Sequence, residues 1–296
     1  EEFTGDFCLF DEDGRIVLNA EGVSIRRLDQ AALSFGEPQS IGLRDERLQS
    51  QASERLLDHA GIIRQATLDF QRLAEQTGVG IYKAMVPEVD RLSAMYISSA
   101  LRKLGLPEET GRRVSIVSLA EQLGVVKDHE RLLGRFIEIL QQDGALRRVG
   151  DELEVCGFTR DEEPQALLED LLQRYSPCSV ELRLLARCGQ NLSSVLRGES
   201  EPLQLLFPPD SDVNLEKIYQ ESPAARLINQ LVRGTIETAI APLPADRTLR
   251  ILEIGAGTGS TSSLVLPDLP ADRTDYVFSD VSQLFLFNAM RKFSSY

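Results

Sequence analysis

Five residues toward the C-terminal end have types and spacing that suit ligand chemistry: Glu253, Gly255, Gly257, Gly259 and Asp280. They occur in "LRILEIGAGTGSTSSLVLPDL" and the following "DYVFSD". Glycine tolerates positive φ and presents no Cβ, so at 255, 257 and 259 a ligand can lie against bare main chain, with Ala256 between the first two. A helix opening at "STSS" would aim free N–H groups at the same place, favouring an anionic or electron-rich group. Ser260 or Thr261 is the expected cap of that helix. Asp280 ends the second apolar run, where a carboxylate can accept hydrogen bonds from a ribose diol. Glu253, at the tip of the first run, either braces the loop or meets a cationic end of the ligand.

The elements needed to hold these residues are legible around them. "LRILEI" reads as a buried strand, "GAGTG" as a tight loop and "STSSLVLPDL" as a short helix. "DYVFSD" is a second strand and "SQLFLFNAMRKF" a second helix, the opening of a parallel α/β sheet. The dinucleotide fingerprint is GxGxxG with an acid about 20 residues on. Here the spacing is GxGxG, and Asp280 lies 25 residues after Gly255. A strand, ExGxGxG, a helix, a strand and a terminal Asp together point to S-adenosylmethionine.

Composition narrows the partners. The 296 residues carry a formal charge of −14, spread along the chain, which disfavours nucleic acid and anionic membranes. No apolar run approaches the roughly 18 residues of a membrane span. Neither a leader nor a CxxC pair is evident, so Cys8, Cys156, Cys178 and Cys188 read as reduced thiols of a cytoplasmic protein, with no metal site expected.

Upstream, residues 3–28 read as a β-hairpin turning at "DEDG", with Gly22 marking a bulge or break. Two strands alone are marginal in water, so the hairpin is expected to belong to a larger sheet. Residues 31–53 read as a linker. From 54 to 241 the pattern is helical, with helices expected at 54–78, 89–105, 164–175, 179–196 and about 213–241. Within it, 115–155 gives a short helix, a longer helix and a small hairpin, a winged-helix outline. That segment holds Lys127, Arg131, Arg135, Arg147 and Arg148 against eight acids, where a DNA reader needs a positive face. A packing or dimerisation unit is the better reading.

"LRILEIGAGTGSTSSLVLPDLPADRTDYVFSDVSQLFLFNAMRKF" resembles the opening of the C-methyltransferase domain of modular (type I) polyketide synthases. "PLQLLFP" at 202–208 and "EKIYQESPAARLINQLV" at 216–232 resemble the segments preceding that domain's core. Residues 3–28 resemble the closing strands of the dehydratase domain often found upstream. The resemblance implies an α/β fold: a helical N-terminal subdomain, partly winged-helix-like, over 54–241, then the start of a Rossmann-like S-adenosylmethionine-dependent core over 242–296. Residues 1–30 would be the dehydratase-like hairpin. The implied reaction is methyl transfer to the α-carbon of a β-ketoacyl chain held through phosphopantetheine on an acyl carrier protein, among neighbouring synthase domains. The family's deprotonating histidine and glutamate lie on later strands and loops, so the base is expected beyond Tyr296 and this stretch alone is expected to be inactive. His59 and His129 read as helix-surface or core-edge residues. The rival readings are a non-catalytic docking segment and a free-standing small-molecule methyltransferase.

In the helix before the core, Ile218, Leu227, Ile228, Leu231, Val232 and Ile236 form the expected buried stripe, and Tyr219, Ser222, Arg226 and Asn229 a polar one. Pro223 fits the first turn of a helix beginning near Ser222. The resemblance implies that Tyr219 and Asn229 touch the cofactor. The alternatives are a solvated face, with Arg226 pairing with a carboxylate such as Glu253. "LQLLFPP" at 203–209 reads as core followed by a turn, or as a wall for an acyl chain.

Overall fold

The computed structural model describes residues 2–10, 16–26, 59–158, 163–208 and 211–296. The expected linker at 31–53 and the turn at 11–14 lie outside them. Residues 67–231 form one compact unit, and 232–296 group with the N-terminal residues up to Ala66 in a second.

Strands β1 (Glu2–Phe10) and β2 (Ile16–Arg26) pair antiparallel as a two-stranded sheet. Gly5 faces Val23 and Phe7 faces Ala20, so Glu21 and Gly22 together stand opposite Asp6. The irregularity expected at Gly22 is therefore present, as an extra residue in the ladder.

Helix α1 (His59–Thr77) ends at Gly78, which takes φ +69°. Helix α2 (Tyr82–Lys103) begins seven residues earlier than the sequence pattern suggests and carries Pro87 inside it. Burial outweighs the proline: Met85, in that added turn, packs with Leu92 and Tyr96 against Leu168, Leu171 and Leu182. Those partners come from α5 (Pro164–Arg174) and α6 (Ser179–Gln190). At the α2–α6 crossing a Cβ on Gly189 would sit 2.3 Å from the Tyr96 ring, so only glycine fits. The helix expected over 179–196 is broken at Asn191, whose Nδ2 donates to the Arg187 carbonyl at 2.8 Å, and α7 (Leu192–Leu196) follows.

Strands β3 (Arg113–Ser115), β4 (Leu146–Val149) and β5 (Glu152–Val155) form a sheet in the order β3–β5–β4. With α3 (Leu119–Gln122) and α4 (Glu130–Gln142) they give the winged-helix outline. Its core joins Leu119, Leu133, Leu140, Leu146 and Leu153 with Leu101 of α2.

The "LQLLFPP" stretch departs from expectation. It forms the short helix α8 (Pro202–Leu206), and Leu203 is 65% exposed, so this is surface rather than core. A single helical turn presents too little apolar face to bury all its leucines. The long helix expected over about 213–241 is broken where Pro223 is expected to open a helix near Ser222. Helix α9 (Leu215–Glu221) stops at Ser222, whose Oγ accepts the Ala225 N–H at 3.2 Å and opens α10 (Pro223–Ile240).

In the second unit, β6 (Leu249–Ile254) and β7 (Thr274–Ser279) pair in parallel, from Leu249 opposite Thr274 to Ile254 opposite Ser279. Helix α11 (Ser260–Val265) connects them and α12 (Gln283–Lys292) follows. Val265, Leu266 and Leu269 are the buried centre, packed by Ile236, Ile240, Ile251, Tyr276 and Phe293. Among the described residues no helix is long and apolar enough to cross a membrane, and no cluster of His, Cys, Asp or Glu could hold a metal.

Candidate methyl-donor site

Parallel, in-register pairing brings the C-terminal ends of β6 and β7 together, so Glu253 and Asp280 flank one loop. Both oxygens of Asp280 are engaged by main chain: Gly257 N–H donates to Oδ2 at 2.8 Å and Ser282 N–H to Oδ1 at 2.7 Å. Ala256 N–H donates to the Ser279 carbonyl at 2.9 Å, and Lys292 Nζ to the Thr258 carbonyl at 3.2 Å. The loop is thus fixed from β7, from the turn after it and from α12 before any ligand arrives.

The three glycines do different work. Gly255 and Gly257 take φ +68° and +56°, and a Cβ at either would meet open space, with nothing nearer than the Gly255 carbonyl at 3.9 Å. Gly259, at φ +70°, has its Cβ space filled by the Phe293 ring at 2.7 Å and by Phe278 at 3.3 Å. Its lack of a side chain serves packing, whereas the bare face at 255–257 is free for a ligand. Gly259 is also the residue that caps α11, without a side-chain bond; Ser260 and Thr261 lie inside the helix, which corrects the expected cap.

Glu253 is held by two hydroxyls. Tyr276 O–H donates to its Oε2 at 2.8 Å, and the fully buried Ser262 donates to the same oxygen. Burial, reinforced by the carboxylate, pushes the Tyr276 phenol well above its ordinary pKa, so it stays a donor. Ser279 Oγ donates to the Glu253 carbonyl at 2.7 Å. The sequence reading missed Tyr276 and Ser262. The alternation of "LRILEI" and "TDYVFS" could have found Tyr276, because in register it shares a face with Glu253.

No sequence-family profile matches the chain. It is 30% identical over 233 residues to the methylphloroacetophenone synthase of Cladonia uncialis, covering 77% of this chain and 9% of that protein. The solved CurJ carbon methyltransferase superposes with a TM-score of 0.74 at 33% identity, over 81% of this chain and 64% of that one. The citrinin polyketide synthase CMeT domain shares the fold, with a TM-score of 0.70 at 24% identity over 80% of this chain and 63% of that one. The chain is similar to the carbon methyltransferase domains of polyketide synthases. It spans only about a tenth of the length of the curated synthases it matches.

Tyr219 and Asn229, the two residues expected to reach the cofactor from the preceding helix, belong to the unit of residues 67–231. Asn229 is 6% exposed, not on a solvated stripe, and its Nδ2 donates to the Tyr219 carbonyl at 2.9 Å, tying α9 to α10 across Ser222. Ser222 is likewise buried, while Tyr219 is half exposed. Ile228, placed in the apolar stripe, is 55% exposed, while its neighbour Leu227 is buried. Glu253 finds its partners in Tyr276 and Ser262, a structural role that the sequence had offered to Arg226.

Proposed function

We propose that this chain supplies the S-adenosylmethionine site of a polyketide-synthase carbon methyltransferase, with residues 242–296 as the start of the donor-binding core and 54–241 as its helical partner. In this reading 1–30 are the closing strands of a dehydratase domain and 31–53 a linker. The observation that carries it is the open main-chain face at Gly255 and Gly257, beside a carboxylate that closes onto the Gly257 N–H. A side chain at either glycine would occupy that face, and the residues present therefore fit a nucleoside ligand.

When bound, S-adenosylmethionine supplies a methyl group made electrophilic by its sulfonium. The chain's own part is to orient it: Gly255, Ala256 and Gly257 offer main chain, Asp280 accepts from the ribose hydroxyls, and Glu253 faces the amino-acid end. Tyr219 and Asn229 are proposed as further contacts from the helical unit. The acceptor is the α-carbon of a β-ketoacyl chain on an acyl carrier protein, which must lose a proton to become nucleophilic. We assign that base to no residue of this chain. Incubating the full-length protein with S-adenosylmethionine and a β-ketoacyl carrier protein tests the reading. The acyl chain should gain the mass of CH2 at its α-carbon; donor binding without that gain would leave the site but remove the acceptor.

A further inference from the structure

We propose that Tyr276 and Ser262 are positioning residues that aim Glu253 at the amino-acid end of the methyl donor. The inference rests on the methyl-donor reading of the glycine loop. Glu253 sits at the end of β6 and has both its side-chain bonds on one oxygen, from Tyr276 on β7 and Ser262 on α11. Both bonds fall on Oε2, and Glu253 as a residue is only partly buried. Because Tyr276 and Ser262 share Oε2, Oε1 is left to accept from water or from a ligand. One anchored oxygen and one open oxygen suit a carboxylate that must accept from something outside the protein.

The anchoring is rigid. Ser262 is fully buried, Tyr276 lies in the core that surrounds Val265, and the Glu253 main chain is itself held by Ser279. Bonds from two different elements fix the carboxylate's rotation, so Oε1 keeps one direction without the ligand having to order it. The ligand class this geometry takes is a nucleoside bearing a cationic α-amino group, with Asp280 at the sugar and Glu253 at the ammonium. Glu253 binds directly; Tyr276 and Ser262 act through it.

The test is calorimetric titration of the full-length protein with two probes, S-adenosylhomocysteine and adenosine, which lacks the amino-acid end. Tyr276→Phe is expected to weaken S-adenosylhomocysteine about tenfold and to leave adenosine within about twofold. Ser262→Ala should act in the same direction. In a Glu253→Gln background, Tyr276→Phe should add less than about twofold, because the residue it serves is already neutralised. Equal weakening of both probes would reduce Tyr276 to a loop brace and overturn the proposal, as would unchanged S-adenosylhomocysteine affinity or full additivity with Glu253→Gln. A wild-type protein that binds neither probe would overturn the methyl-donor reading itself, an outcome distinct from a wild type that binds both and a variant that does not discriminate.

Discussion

The winged-helix-like segment at 113–155 and the glycine loop at 249–280 each display a familiar outline, and their polar groups are used in opposite ways. In the first, Arg113 and Arg147 both pair with Glu154, at 3.0 and 2.6 Å, and Arg135 pairs with Glu138 at 2.7 Å. The Arg147 and Arg113 guanidiniums hold the Glu154 carboxyl below its ordinary pKa, and Arg148 donates to the Gly150 carbonyl. In the second, Asp280 and Glu253 take their bonds from the loop and the elements next to it, leaving the Gly255–Gly257 main chain bare. An outline alone does not assign a function. What decides is whether the polar groups close on one another or hold a surface open.

Gly257→Val should break the comparison hardest. It fills the open face and forces a β-branched residue to φ +56°, so donor affinity should fall about 100-fold or more, roughly 3 kcal/mol. Calorimetry against S-adenosylhomocysteine reads it, and unchanged affinity would return the loop to an ordinary turn. Gly259→Ala should act on stability instead, by about 2–3 kcal/mol, because its Cβ would press on the Phe293 ring. Urea unfolding should show this loss, and an Ala variant as stable as wild type would remove the packing role. Asp280→Ala should weaken donor binding by roughly 1.5–3 kcal/mol, since it removes both a ligand acceptor and the bond to Gly257. A change within a few tenths of a kcal/mol would exclude Asp280 from the site.

The helical unit offers a smaller, pH-dependent effect. Glu181 accepts from Tyr82 O–H at 2.5 Å, and burial raises its pKa despite that bond. A carboxyl raised in the folded state binds its proton more tightly there than in the unfolded chain. Its contribution to stability is therefore full at acid pH and declines as pH rises through the folded value. Glu181→Gln should remove that decline, so the variant gains on wild type between acid and neutral pH in paired denaturation curves. A constant difference would show that Glu181 ionises freely. Smallest of all, Arg147→Ala should leave the melting temperature nearly unchanged, because an exposed pair contributes little. A large drop would mean that the wing's charges do more than neutralise one another.

Local pattern revealed most of what the site needs. The apolar runs and glycine spacing gave β6, β7 and α12 close to their true bounds, and the short helix, longer helix and small hairpin of 115–155 were legible as well. What escaped was set by packing across the sequence. The local pattern began α2 at 89, yet Met85 is buried against residues more than 80 positions later. Three glycines looked equivalent until Phe293, 34 residues on, filled the space beside one of them. Asn229 read as a cofactor contact or as polar surface, because nothing local shows that its side chain will donate to the carbonyl of Tyr219 across a corner.

The most direct test of the open-loop account is hydrogen–deuterium exchange on the full-length protein with and without saturating S-adenosylhomocysteine. Slowed exchange should appear at 254–259 and 279–282, and the 113–155 segment should be unchanged. Protection confined to other segments, with the glycine loop exchanging as before, would contradict it.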